Sequence, residues 1–252
     1  MTNIISSPAV ERHEMNGLQD LAIEAHGGWR RWQEITSIRA HVAVGGTVWS
    51  LKGWPGALAD VHVTADPHSP HVEYSPFLKA GQRGVYEPAR TWLVSDGKTI
   101  EQRESPRQSF AGHSLATPWD PHHLVYFAGY AMWTYLTTPF LFRLPGVRAE
   151  EVEPWNEDGE TWRRLRVLFP ASLPSHSTEQ TFYFDDSGLL RRHDYSVEVM
   201  GGTSSANYAS GHKSFGGLVF PTRRRVYAKG PDNRPLLDRL AVAIDFLDLE
   251  VR

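Results

Sequence analysis

Residues 124–142 read LVYFAGYAMWTYLTTPFLF, a run without one charged side chain, opened by Asp120-Pro121-His122-His123. Asp120 suits an N-cap, and Pro121 suits the first helical position, where its missing N–H costs nothing. Pro139 closes or kinks the segment. The reading is a buried helix over 121–138. A helix of this length reaches roughly 28 Å, close to the thickness of a bilayer core, so a membrane span has to be weighed. Three Tyr, three Thr, Gly129 and Pro139 interrupt the run, and no Lys or Arg cluster flanks it. The expectation is therefore a soluble chain with no membrane span. Tyr126, Tyr130, Trp133 and Thr137 fall on one helical stripe, and Leu124, Ala128, Ala131 and Tyr135 on another. A helix apolar on both stripes is buried on both sides. The Tyr/Trp stripe is expected to wall a ligand cavity as well.

The flanking sequence alternates like strands broken by turns. Glycine pairs (Gly45-Gly46, Gly216-Gly217) and DG or DDSG turns (Asp96-Gly97, Asp185-Asp186-Ser187-Gly188) punctuate ten to twelve such segments. Gly45-Gly46 reads as a hairpin between residues 38–44 and 47–54. Residues 1–10 are expected to be disordered, and helices are expected over 11–34. The fold class is α+β: one domain over 1–252, with a single strongly curved antiparallel sheet, a half-open β-barrel, enclosing one or more helices.

Composition narrows the function. The chain has 252 residues, 40% hydrophobic and 22% charged, with a net charge of −3. These values suit a globular protein and provide no basic field for nucleic acid. The short Arg runs read as solvated strand edges. With no cysteine, disulfides and thiolate chemistry are excluded. The N-terminal residues show no secretory leader, so the expected address is the cytoplasm. Glycine pairs sit between strands, not before helices, so no phosphate loop and no nucleotide cofactor is expected. Among twelve histidines, His62, His68 and His71 are the closest to a metal-ligand spacing. No H-E-x-x-H or Asp-rich loop accompanies them, so the expectation is neither metal nor cofactor.

Two stretches resemble the LolA/LppX superfamily of bacterial lipoprotein carriers. One is AHGGW at 25–29 with WQEITSI at 32–38, a helix end feeding a first strand. The other is FYFDDSGLLRR at 182–192 followed by FGGLVFPTRR at 215–224. The resemblance implies a half-open β-barrel wrapped around helices, with an apolar cavity between them, here in a leaderless, soluble variant.

Strand parity then nominates side chains for that cavity. In 191–199 one face carries His193, Tyr195, Val197 and Val199, and the more polar face carries Arg192, Asp194, Ser196 and Glu198. The first should face inward. By the same rule Tyr208 pairs with His212, and Arg224 with Val226. His193, Tyr195, His212 and Arg224 are the candidate acid–base set: imidazole to move a proton, Tyr to orient, Arg to hold a carboxylate. Tyr126, Tyr130, Trp133, Tyr208, Trp49 and Trp54 are the candidate ligand-binding residues. The leading expectation is binding of a hydrophobic or aromatic small molecule. The alternatives are a cofactor-independent lyase, isomerase or cyclase using the His/Tyr/Arg set, and a structural module whose aromatic surface binds a partner.

Overall fold

The computed structural model of the chain describes residues 17–252. The expected disorder of 1–10, and the start of the helix expected from residue 11, lie outside the described residues. In chain order the elements are α1 (Leu18–Ala25), α2 (Trp29–Glu34), β1 (Ile38–Gly45), α3 (Thr47–Leu51), β2 (Val61–Ala65), β3 (Val72–Ser75), β4 (Gln82–Tyr86), β5 (Arg90–Ser95) and β6 (Lys98–Glu104). They continue with α4 (Pro121–Thr137), β7 (Arg148–Glu157), β8 (Glu160–Leu168), β9 (Glu179–Phe184), β10 (Leu190–Val197), β11 (Thr203–Phe215), β12 (Leu218–Lys229) and β13 (Pro235–Val251).

The thirteen strands of the described residues form one antiparallel sheet, in the order β6-β5-β4-β3-β2-β1-β13-β12-β11-β10-β9-β8-β7. The first strand pairs with the last, Ile38 opposite Val251, in the middle of the sheet's strand order. From there the chain steps outward hairpin by hairpin to the edge at β6. It then crosses over through α4, restarts at the opposite edge with β7, and walks back. The edges β6 and β7 do not pair, so the curved sheet stays open, as the α+β half-barrel reading expects.

That crossing connection is what puts α4 inside. Asp120 accepts from the His123 backbone N–H at 2.9 Å, and the His123 Nδ1 accepts from the Asp120 N–H at 3.2 Å. Two free N-terminal donors are satisfied reciprocally, and Arg103 holds the same carboxylate at 2.6 Å. Every residue from His122 to Thr137 is buried, as an all-round apolar helix requires. The helix ends at Thr137, ahead of Pro139, which has no N–H to continue it.

The helix is docked on one half of the sheet by direct bonds. The Tyr74 hydroxyl donates to the Ala128 carbonyl at 2.8 Å, the Trp133 indole N–H to the Asp66 carbonyl at 2.8 Å, and Thr91 meets His122 at 2.9 Å. Gly129 makes the close approach possible, because a Cβ there would lie 2.3 Å from Tyr86 Cβ. Gly129→Ala should therefore lose stability even though alanine gains about 1 kcal/mol of helix propensity. The steric cost of about 1–3 kcal/mol or more exceeds that gain, and a lowered urea midpoint is the expected result.

Two readings of the sequence are corrected. Residues 47–54 are not a strand. Gly46, at φ 111°, lies where a Cβ would meet the Ala241 carbonyl at 2.3 Å, and the chain turns into α3 instead of a hairpin. There Val48 and Trp49 are buried and the Trp49 indole donates back to the Gly45 carbonyl at 2.9 Å. Tertiary packing overrides the β propensity of Thr, Val and Trp. Nor are the Arg runs all solvated edges. Arg192 and Arg224 are buried on opposite faces of the sheet, 0% and 1% exposed.

On the convex face, Arg192 clasps Asp194 through Nε and Nη2 at 2.6 and 2.8 Å, Glu157 at 2.7 Å and the Asn233 carbonyl at 2.6 Å. Tyr183 and Lys229 each reach Asp194 at 3.0 Å, and the Tyr208 hydroxyl donates to Glu157. The polar face of β10, expected outermost, is thus covered by the end of β7 and the 230–234 turn.

Candidate functional site

The concave side of the sheet is filled by α4 over β3, β4 and β5, while over β10 to β13 helix and sheet stand apart. The gap is a cavity of about 360 Å³. α4 contributes Phe127, Ala128, Ala131, Met132 and Tyr135. β12 and β13 contribute Val226, Val242 and Ile244, and the far wall is Val48, Trp49 and Leu58. Its mouth lies between Leu51 and Leu115, 50% and 39% exposed, with Asp238 and Arg239 beside them.

The mouth is held by Lys52, the residue after α3. Its ammonium donates to the carbonyls of Ser114, Leu115 and Thr117 at 2.9, 2.8 and 3.1 Å and sits 4.7 Å from the centre of the Trp119 ring. Burial brings its pKa down to about 8. This clasp pins the loop that carries Leu115 over α3. The Trp54 indole N–H adds a bond to the Trp119 carbonyl at 2.8 Å.

Polar groups concentrate at the inner end. His176 lies between the hydroxyls of Tyr130 (3.3 Å to Nδ1) and Tyr135 (3.0 Å to Nε2), and its ring stacks on Tyr195 at 3.8 Å. Tyr135 and Tyr195 share a hydrogen bond of 2.8 Å. Burial, reinforced by the Arg107 charge, pushes His176 down to about 3, so its ring is neutral near pH 7, with one nitrogen donating and the other accepting. Burial pushes the Tyr130 and Tyr195 phenols well above their ordinary range and raises Tyr135. The group is a closed, uncharged hydrogen-bonded chain.

No protein-family model and no curated protein matches the sequence. Solved structures do. A domain from Vibrio parahaemolyticus assigned to outer membrane lipoprotein sorting superposes with a TM-score of 0.55 at 10% identity, over 93% of this chain and 92% of that one. A LolA superfamily protein from Nitrosomonas europaea gives 0.52 at 9% identity, over 94% and 93%. A DUF1329 family protein from Desulfovibrio piger gives 0.52 at 11%, over 94% and 92%. The chain has a LolA-like fold. At these identities the likeness speaks for architecture alone.

Within this LolA-like half-barrel the residues nominated from the sequence separate into groups. Trp49 lines the cavity, from a helix instead of a strand, and Tyr195 faces it from β10. Tyr126, Tyr130 and Trp133 do not line it. That stripe turns toward other partners: Tyr126 packs edge-on against Tyr86 at 5.5 Å, Trp133 bonds Asp66, and Tyr130 bonds His176 from behind. The cavity takes the Ala128, Ala131 and Tyr135 side of the helix. Trp54 braces the 111–119 loop and is not a wall. Tyr208 lies on the convex face, opposite Arg192 in register, because the inward positions of β11 are Ser205, Asn207 and Ala209.

His193 and Arg224 do face inward, one row beyond the cavity. The His193 ring stacks on Phe182 at 3.9 Å and meets the Gln180 Oε1 at 2.6 Å, and burial depresses its pKa well below 6.5. Arg224 Nη2 donates to the Tyr135 carbonyl at 3.2 Å. His212 meets His26 edge-on at 6.1 Å. His62, His68 and His71 are dispersed: His62 stacks on His41 at 4.6 Å, His68 bonds the Ile35 carbonyl at 2.8 Å, and His71 meets Glu87 at 3.2 Å.

Reading the sequence missed His176. It sits between β8 and β9 in PASLPSHST, a loop composition that carries no period and reads as exposed. The helix stripe that faces the void was also missed. Both stripes of α4 are equally apolar, so its rotation is set by bonds such as Tyr74 to Ala128.

Proposed function

We propose that the chain reversibly binds a hydrophobic or aromatic small molecule in the hollow between α4 and the sheet. One observation carries this reading: a cavity of about 360 Å³, walled by aliphatic and aromatic side chains and opening between Leu51 and Leu115. The volume falls in the range of small-molecule pockets, and a few polar groups converge at one end, as such sites require. A half-barrel of this architecture also occurs in the Vibrio parahaemolyticus domain assigned to outer membrane lipoprotein sorting, which is compatible with this reading.

The polar end supports holding a ligand over transforming it. General acid–base catalysis works best with a group that titrates near the operating pH. Here burial drives the imidazole of His176 far below neutrality and the phenols above it.

Native mass spectrometry of freshly purified protein should show a co-purifying small molecule. In a titration with the apolar fluorophore N-phenyl-1-naphthylamine, Ala131→Trp should weaken binding at least about tenfold, since the indole would occupy the space beside Met132 and Trp49. Equal affinity in the two proteins, both with native circular dichroism, would refute the assignment of this hollow.

A further inference from the structure

Past the inner end of the cavity, the same faces of the same strands continue one row further. On β10 the row passes from Tyr195 to His193, on β11 from Ser205 to Asn207, and on β12 from Val226 to Arg224. His193 pairs directly with Asn207, and Arg224 stands diagonal to Asn207, since Asn207 is opposite Val226. Two side chains of this row are incompletely bonded. Arg224 is 1% exposed and spends Nη2 on the Tyr135 carbonyl, while its Nε and Nη1 have no acceptor among the described residues. Asn207 is 0% exposed, and neither its Nδ2 nor its Oδ1 has a hydrogen-bond partner within 3.5 Å, its polar neighbour being the Tyr135 side chain.

A buried cation is ordinarily paired, as Arg192 is by Asp194 and Glu157 on the other face. Arg224 has no carboxylate partner among the described residues, and its one hydrogen bond is to the Tyr135 carbonyl. Its guanidinium lies 4.5 Å from the centre of the Tyr135 ring, and Tyr135 is also a wall of the cavity. One aromatic side chain therefore separates the apolar hollow from an uncompensated positive charge. Unsatisfied donors on an arginine fork and a neighbouring amide match the two oxygens of a carboxylate.

We propose that Arg224 and Asn207 form an oxyanion site at the inner end of the cavity, taking the carboxylate of an amphipathic acid whose apolar body fills the hollow. The proposal rests on the binding function above and specifies the class of ligand. The acid enters chain-side out, between Leu51 and Leu115, and the Tyr135 ring swings aside to let the head reach the guanidinium. His26 and His212 stand on the far side, each with Nε2 unpartnered. A negative charge beside them favours their protonated forms, which add donors to the site. Asp185, the carboxylate whose field reaches both, is engaged by the Ser187 and Leu189 backbone N–H groups at 3.0 Å.

The test compares dodecanoic acid with 1-dodecanol by displacement of N-phenyl-1-naphthylamine at pH 8, for the wild-type chain, Arg224→Gln and Arg224→Lys. The acid should bind the wild-type chain at least about tenfold more tightly than the alcohol. That ratio should fall to about one in Arg224→Gln and to an intermediate value in Arg224→Lys. Equal binding of acid and alcohol to the wild-type chain overturns the oxyanion site while leaving the apolar cavity standing, and this comparison needs no variant to fold. Binding of neither compound overturns both. A preference that survives in folded Arg224→Gln removes Arg224 from the site. Acetate supplies the last arm: an affinity equal to that of dodecanoate overturns the headgroup assignment and makes the site one for a free small carboxylate.

Discussion

Arg192→Ala is expected to destabilise the chain by about 3–5 kcal/mol, which is the scale for removing one partner from a buried ion pair. The substitution leaves Asp194 and Glu157, 4% exposed each, without the guanidinium that neutralises both and bonds Asp194 twice and Glu157 once. Lys229 and Tyr183 remain on Asp194 at 3.0 Å, and Tyr208 and the Trp155 indole on Glu157, so the loss comes from burying two carboxylates with one cation between them and not from lost packing alone. The Asn233 carbonyl, held by the same arginine at 2.6 Å, loses its donor, and the 230–234 turn should loosen. A useful contrast is Arg163→Ala. Arg163 pairs with Glu151 at 2.7 Å, but both side chains are 39% exposed, and such pairs contribute about 0–1 kcal/mol. Urea unfolding of the two variants should separate them clearly. Similar midpoints would mean that the convex cluster does not hold the sheet's second half together.

Stability should also collapse in mild acid. Burial holds His26 down to about 4 and His176 to about 3, and depresses His193 well below 6.5. Above pH 6.5 these rings are neutral in the folded and unfolded chains alike, and their contribution is fully present. As pH falls below 6.5 the unfolded chain takes up protons that the folded chain refuses, so stability falls with falling pH. The loss continues until the folded pKa values are reached, near 4 for His26 and near 3 for His176. Each such ring adds up to about 1.4 kcal/mol per pH unit to the slope, so His26 and His176 together approach about 3 kcal/mol per unit near pH 5, and His193 acts in the same direction. Accumulated between pH 6.5 and 4, that slope removes several kcal/mol from an ordinary total of about 5–15 kcal/mol, so the urea midpoint should fall steeply over this range. His176→Gln keeps a polar side chain between the two phenols and should reduce the slope by up to about 1.4 kcal/mol per unit. Urea midpoints measured from pH 7.5 to 4.5 give the slope directly, and a flat profile over that range would contradict the buried, neutral imidazoles.

These two effects arise where reading the sequence and reading the fold diverge. The β10 alternation placed His193 and Tyr195 inward, and they are inward. The same alternation assigned Arg192 and Asp194 to the polar outside, but strand parity states only which residues share a face, not what later covers it. Arg192 is covered by Glu157 from β7 and Asn233 from the β12–β13 turn, both remote in sequence. Tyr208 was misplaced for a related reason: the inward phase of β11 depends on its register with β10, which pairs Arg192 with Tyr208.

The amino-acid sequence by itself determined the secondary elements that local physics governs. Asp120 and Pro121 start α4 and Pro139 stops it. The absence of charge over 124–142 buries the helix, and the alternating segments make a curved, open antiparallel sheet. Those outcomes rest on capping, proline geometry and the two-residue strand period, all of which act within a few positions. Tertiary structure alone decided which side of α4 meets the void, why Thr47–Leu51 is helical, and where His176 stands. Each of these depends on contacts between residues far apart in the chain, and one apolar stripe resembles another until a Tyr74 or a Tyr86 on the sheet chooses between them.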